Sequence, residues 1–357
     1  VQIDEYKKAA EIFDDEYVYF SSYSSSWLEH SRRYVEMMME RFGLSKESFV
    51  VEIASNDGYL LRYFVERGVP VLGIEPTANT AEAARTKGVE TVVEFWGKDY
   101  AQRLVTERHM ADVILGNNVL AHVPDINDFV AGLKIGLAPQ GVITMEFPHL
   151  MRLVEANQFD TIYHEHFSYL SFTTVTNIFA VHGLMMFDVE ELSTHGGSLR
   201  IFAAHETDTN KKRSPRVNEL LERERNKGMT TPSWYGGFQA KADKVKNELL
   251  KFLIEQQQAG KRVAGYGAAA KGNTLLNYCG VKKDLLTFVV DASPHKQGKF
   301  LPASHIPVLH PDALWQFKPD YVLILPWNLQ EEIRKQHSYI AEWGGKFVVA
   351  VPQMNIF

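Results

Sequence analysis

The sequence predicts an α/β protein with two doubly wound, Rossmann-like parallel sheets, preceded by an aromatic-rich helical segment. Three observations predict it. From residue 49, short β-branched runs alternate with helical stretches: "FVVEIA", "LLRYFVERG", "VPVLGIEP", "TANTAEAARTKG". Such alternation marks parallel strands joined by crossover helices. The same rhythm restarts near residue 261 with "KRVAGYGAAAKG". Between the two, residues 206–232 are charged and carry Pro215 and Pro232, which marks a boundary. The expected organisation is a flap and helix over 1–48, a first α/β domain over 49–205, a helical connector over 206–260 and a second α/β domain over 261–357.

Each element follows from its residues. "DDEYVYFSSYSSSWLEHSRRYVEMMMERFGL" brings Tyr17, Tyr19, Phe20, Tyr23 and Trp27 ahead of an amphipathic helix over about 25–42. Aromatic rings beside serines suit a lid over a pocket, and equally a flap packed on the next domain. "FVVEIA" is a buried strand and "SNDGYL" its turn. A helix then ends at Gly68, and "VPVLGIEP" is the next strand. "ADVILGNNVL" and "GVITMEF" are later strands, and "GLMMFDVEEL" with "GSLRIFAAH" reads as a closing antiparallel pair. A long helix is expected over about 237–260. "LLTFVVD", "YVLILPWNL" and "GKFVVAVP" supply the remaining strands of the second sheet.

The bulk numbers exclude some functions. With 357 residues, 45% apolar and 23% charged, the chain is long enough to bury two cores and is not a disordered polymer. A net charge of -6 argues against nucleic acid as a partner. Cys279 is the only cysteine, so no disulfide framework and no thiolate zinc site arises within the chain, which fits a reducing cytoplasm. No apolar run reaches membrane length. The chain starts at Val1 rather than Met and reads as a fragment of something longer. Monomer is the default expectation for two domains completing one site.

Ligands of open α/β sheets sit at the carboxyl ends of the strands. In the first domain those ends carry Glu52, Ala54, Asn56, Asp57 and Gly58, then Glu75 and Pro76, then Asn117, Asn118 and His122. Glu75 is placed to accept from ribose hydroxyls. A phosphate cradle needs bare amides and glycines, whereas this turn is acidic. Glu52 and Asp57 repel phosphate and favour an adenosine ligand bearing a cation. S-adenosylmethionine is such a ligand.

In the second domain "GYGAAAKG" fits G-x-G-x-x-A with Gly265, Gly267 and Ala270, and Asp291 follows about twenty residues on. An NAD-dependent oxidoreductase accounts for that fingerprint. So does a bound nucleoside diphosphate, with Lys271 and Lys296 as cations near the turn.

The stretch "IYHEHFSYLS" places Tyr163, His164, Glu165 and His166 in succession. It reads as a catalytic base with helpers, as half a metal site from His164 and His166, or as the polar end of a strand. A zinc site needs further ligands nearby, and no HExxH or CxxC occurs.

"VVEIASNDGYLL", "GIEPTANTA", "NNVLAHVPDINDFV", "FDTIYHEHFSYLS", "STHGGSLR", "GYGAAAKGNTLLNYCG", "DASPHKQGKFLPASHIPV" and "LPWNLQEEI" together resemble the family of S-adenosylmethionine-dependent sugar C-methyltransferases, which act on nucleotide-linked keto-deoxysugars. The resemblance implies a class I methyltransferase fold for the first domain and a nucleotide-sugar-binding role for the second. It implies His166 as general base, Glu165 as its helper and Tyr163 as a donor to a developing oxyanion. It also implies Tyr17 in the site, with Tyr19 as the alternative, and His122 as the second histidine near the reacting carbon. For the substrate it implies Gly265, Gly267, Lys271 and Lys296. We further expect His195, Gly196, Gly197 and Arg200 of "HGGSLR" at the sugar pocket, with Trp327 and Asn328 nearby. The chain departs from the family in two places. Ala54 stands where the family has glycine, and the family's N-terminal zinc module with paired cysteines is not in this sequence. Zinc is therefore expected only with such a module. A nucleotide-sensing protein with a decayed methyltransferase half is the non-enzymatic alternative.

Overall fold

Val50–Ile53 is buried at every position, which suits a strand covered on both faces. It is β1 of a seven-stranded sheet. Val71–Ile74 (β2), Thr91–Val92 (β3), Ala111–Asn117 (β4) and Leu137–Pro148 (β5) join it in parallel. Leu184–Leu192 (β6) and Ser198–His205 (β7) add the expected antiparallel pair, with β7 lying against β5. The order is β3-β2-β1-β4-β5-β7-β6, that of a class I methyltransferase. The structure, a computed structural model, describes residues 1–14, 17 and 19–357.

Helices coat both faces of this sheet. On one, Phe129, Val130 and Leu133 pack with Phe172, Val175 and Phe179. On the other, Tyr34, Val35 and Met38 pack with Leu61 and Phe64. The N-terminal helix Ser25–Phe42 thus belongs to the first core. Ser24 caps it, accepting from the Trp27 amide at 3.3 Å, and Gly43 ends it at φ 63°.

Two compact units result. The first comprises Val1–Leu150, His164–Ser193 and Gly197–Lys227; the second comprises Met151–Tyr163, Thr194–Gly196 and Gly228–Phe357. The units therefore divide at Lys227 rather than at residue 206. The helix Pro215–Asn226 carries buried Val217, Leu220 and Glu224 at helical spacing, and Val217 and Leu220 join the first core.

The second unit holds Val263–Tyr266 (β8), Val289–Val290 (β9), Val308–Leu309 (β10), Tyr321–Ile324 (β11), Lys346–Val349 (β12) and Asn355–Ile356 (β13). Their order is β10-β9-β8-β11-β12-β13, parallel except at the β13 edge. The long helix Phe238–Gln258 buries Ala242, Val245, Leu249, Phe252 and Leu253 against this sheet. No helix among the described residues is long and apolar enough to cross a membrane.

Candidate active site

The turn after β1 is shaped by backbone conformation. Ala54, Asn56 and Gly58 all have positive φ, at 56°, 48° and 73°. Glycine suits such a position, whereas the Ala54 methyl is strained there by about 1–2 kcal/mol. Glycine's larger unfolded-state entropy offsets part of that strain. Ala54→Gly is therefore expected to stabilise the protein by about 1 kcal/mol in urea denaturation.

Glu52 at the end of β1 is fully buried, and neither carboxyl oxygen has a hydrogen-bond partner among the described residues. The Tyr59 phenol and Leu61 amide approach it without completing a bond. Burial, reinforced by the charges of Glu75 and Asp57, pushes its pKa well above the carboxylate range. The amide nitrogen of Asn117, at the end of β4, is likewise buried and unpartnered. A buried orphan carboxyl beside further acids matches a cationic ligand and opposes a phosphate. The residues present fit S-adenosylmethionine in that respect.

Two expected ligand residues also brace the protein. Glu75 accepts from the Asn56 amide at 2.8 Å, the Thr77 amide at 3.0 Å and the Thr77 hydroxyl at 2.6 Å. Its carboxylate therefore braces the turn, and its Oε2 carries one of these three bonds. Asp57 pairs with Lys87 at 2.7 Å and accepts from the Ser22 hydroxyl. Both partners meet the same oxygen, and the other oxygen of Asp57 is buried without a hydrogen-bond partner among the described residues. The side chain of Asn56 holds the N-terminal segment through the Ser21 amide at 2.9 Å and the Tyr19 carbonyl at 3.0 Å. Asn79 donates to the Tyr17 carbonyl at 2.8 Å. The aromatic segment is thus latched onto the turn after β1 and the helix after β2. Pro76 follows Glu75 directly, and Asn118 begins the turn after β4 at φ 56°.

Next to these strand ends the histidines meet. The ring centroids of His122 and His166 are 4.7 Å apart, edge to face. Phe13 packs on His122 at 5.9 Å and on Tyr17 at 5.5 Å, and Tyr169 flanks His166 at 6.3 Å. The two segments are tied through the backbone, with Ser168 N donating to Ala121 O at 3.1 Å. Loss of water around His122 lowers its pKa to about 4, opposed by a bond to the Glu165 carbonyl. His122 is therefore neutral at pH 7. Burial pushes the Tyr17 phenol well above its ordinary value, and the charges of Glu165 and Glu75 push the same way. Tyr17 stays a donor across the neutral range.

The "YHEH" stretch is irregular and follows the turn Phe159–Thr161; it is not a strand end. The chain crosses from the second unit to the first between Tyr163 and His164, so Tyr163 belongs to the second. His164 is exposed, whereas Glu165 and His166 are half-buried. Among the described residues no group of three His, Cys, Asp or Glu side chains is placed to hold a metal ion.

Several residues expected at the substrate have partners within the protein. Arg200 is buried in the first unit between Glu146 and Glu190, its cross-strand neighbours on β5 and β6. These ion pairs give it a structural role. His195 and Gly196 form a tight turn in the second unit with φ 53° and 88°. A Cβ on Gly196 would lie 2.5 Å from the Trp327 ring, so packing explains that glycine. Gly197 belongs to the first unit and accepts at its carbonyl from the His149 amide at 3.1 Å. Gly265 and Gly267 abut Val289 and Pro326. Asp291 accepts from the Ala268 amide at 2.7 Å and the Ser293 amide at 2.8 Å, and Lys296 donates to Ala268 O at 3.1 Å. The acid that a dinucleotide site offers to a ribose is thus turned onto the chain itself. Sequence reasoning missed Glu146 and Glu224. The i, i+3, i+7 spacing of Val217, Leu220 and Glu224 was the available signal for the second.

Comparison with known proteins identifies the family. Residues 27–188 match the family model described as a methyltransferase domain, and residues 193–352 match the C-methyltransferase C-terminal domain. The C-methyltransferase NovU of Streptomyces niveus is 37% identical over 340 residues, covering 95% of this chain and 81% of that protein. A Pyrococcus horikoshii protein of known structure aligns at 16% identity, TM-score 0.44, over 53% of this chain and 95% of its own. Magnesium protoporphyrin IX methyltransferase from Synechocystis with bound SAM aligns at 13% identity, TM-score 0.39, over 50% and 79%. With two matched domain models, and a relative covered over most of its length, the chain belongs to the S-adenosylmethionine-dependent C-methyltransferases.

Proposed function

We propose that the enzyme methylates a carbon next to the ketone of a nucleotide-linked keto-deoxysugar, with His166 as the general base. The observation that carries this reading is the His122–His166 pair, 4.7 Å apart beside the acidic strand ends of the same unit. S-adenosylmethionine, when bound, supplies a methyl group on a positively charged sulfur. Glu52 and Asn117 are the side chains suited to hold its charged and polar groups, and Asn56 shapes the turn beneath it.

A carbon-bound hydrogen beside a carbonyl is weakly acidic, so a C-methyltransferase needs a base and an oxyanion donor. An imidazole nitrogen of His166 takes that proton. The electron pair moves onto the carbonyl oxygen, where the Tyr17 phenol donates to the developing charge. Tyr163 is the second phenol assigned to that oxygen. His122, neutral, lies edge to face against His166. The enolate carbon is then the nucleophile that methylation requires. The sugar nucleotide enters this reading from the residues shared with its family, and relatedness to NovU supports the carbon as the methylated atom.

The test uses dTDP-4-keto-6-deoxyglucose as probe, in D2O, with S-adenosylhomocysteine in place of the methyl donor. Deuterium is expected to wash into a position flanking the ketone, as read by NMR, and to fail to do so with His166→Asn. No exchange at all, or methylation of the probe on oxygen once S-adenosylmethionine replaces S-adenosylhomocysteine, would overturn the reading.

A further inference from the structure

In the second sheet β8 lies between β9 and β11, and the strand order reverses between β8 and β11. Open α/β sheets hold their ligand in the crevice outside the strand ends at that place. Here the chain itself stands there. The excursion Met151–Tyr163 leaves the first unit's sequence and folds with the second. Phe159 is buried in the second core and packs on Tyr278 at 5.1 Å. Asp160, fully buried, accepts from the Trp327 indole N–H at 2.7 Å. Trp327 and Asn328 follow the end of β11. Lys271, on the first turn of the helix Ala270–Cys279 after β8, donates to Asn328 Oδ1 at 2.7 Å. Its ammonium lies 4.7 Å over the Trp327 ring. Gln158 closes the group by donating to the Gly196 carbonyl at 2.7 Å.

The charges are matched. Lys271 and Asp160 attract one another, burial lowers the lysine's pKa, and burial raises the aspartate's to about 6. A helix N-terminus favours an anion, and the Ala270–Cys279 helix, which has no side-chain cap, packs against the turn that carries Asp160. A carboxylate of the same chain thus lies on the turn that packs against this helix.

We propose that Asp160 is a built-in occupant of this crevice and that Asp160, Lys271 and Trp327 are positioning residues for Tyr163, three residues further along. The fingerprint turn of the second unit then serves as a clamp on the chain leading to the catalytic stretch, and Lys271 is not a free phosphate ligand. The inference rests on the reading that Tyr163 assists enolate formation.

The test is a kinetic cycle of Asp160→Asn, Tyr163→Phe and the double variant, with dTDP-4-keto-6-deoxyglucose and S-adenosylmethionine. Asp160→Asn keeps an acceptor for Trp327 and removes the charge that meets Lys271. Its kcat is expected to fall on the order of 10- to 100-fold, the scale of a small misplacement. Its KM for S-adenosylmethionine is expected to stay within about twofold. In the Tyr163→Phe background the same change should cost about twofold or less, because the group it positions has already lost its hydroxyl. Should an unpaired lysine leave Asp160→Asn poorly folded, Asp160→Asn with Lys271→Met removes both charges and serves the same comparison. Equal losses in both backgrounds, or full kcat in Asp160→Asn, overturn the proposal. Full kcat in Tyr163→Phe instead removes Tyr163 from the chemistry, the reading on which the proposal stands, and the proposal falls with it.

Discussion

His166→Asn is expected to lower kcat by about a thousandfold, within the range that a positioned general base contributes. Asparagine has similar bulk and hydrogen-bonding capacity but takes up no proton near neutral pH. The backbone that holds this residue does not depend on its ring. Phe167 O accepts from Ile3 N at 3.0 Å, Ser168 N donates to Ala121 O at 3.1 Å, and Leu150 N donates to Leu170 O at 2.9 Å. The variant should therefore fold, and calorimetry should give a dissociation constant for S-adenosylhomocysteine within about twofold of the parent. His122 sharpens the experiment. Desolvation holds its pKa at about 4, so an ionisation seen near neutrality in the pH profile of kcat/KM belongs to another group. Near-parental turnover by His166→Asn would remove this residue from the mechanism.

The strands were legible because they are apolar along their whole length. Val50–Ile53 and Val71–Ile74 are buried at every position, and a parallel sheet coated on both faces leaves that trace in the residues. The acidic strand ends were legible for the same reason, since Glu52 interrupts such a run. What each acid does was not. Glu75 depends on the Asn56 amide and Asp57 on Lys87, partners 19 and 30 residues away. The same limit hid the excursion of residues 151–163 into the second unit, because nothing local marks which of two cores Phe159 will join. The approach of His122 to His166 came from family likeness, not from spacing. Composition misled once: the charge of residues 206–227 outweighed the buried stripe of Val217, Leu220 and Glu224 that fastens this helix to the first unit. Glu224 accepts from His149 at 2.6 Å and from the Phe172 and Thr173 amides at 2.7 and 2.8 Å. One acid thereby caps the helix that follows the His166 segment.

Arg200→Met is expected to destabilise the protein by about 3–5 kcal/mol, the cost of leaving a buried carboxylate without its partner. The register explains why. Arg200 on β7 is the direct neighbour of Glu146 on β5 and of Glu190 on β6, so one cation stands between two anions on one face of the sheet. Its Nε donates to Glu146 at 2.8 Å, its other nitrogen reaches Glu190 at 3.0 Å, and its guanidinium lies 4.8 Å over the Tyr34 ring. His30 bonds the second oxygen of Glu146 at 2.9 Å. Burial drives Glu146 upward, but the His30 bond and the Arg200 charge outweigh it, so its pKa lies below the ordinary value. A carboxylate of that kind adds stability above its unfolded pKa and loses it as pH falls through the folded one. Removing the guanidinium reverses the sign. Burial then dominates, the deficit is largest near neutral pH, and it shrinks as acid protonates Glu146. Denaturant titration at pH 7 and pH 5 reads this directly, and at pH 7 the melting temperature should drop on the order of 10 °C. Adding Glu146→Gln to Arg200→Met should recover most of the loss, since no buried charge then lacks a partner. If Arg200 faced the sugar, the same substitution would raise the substrate KM and leave the melting temperature where it was.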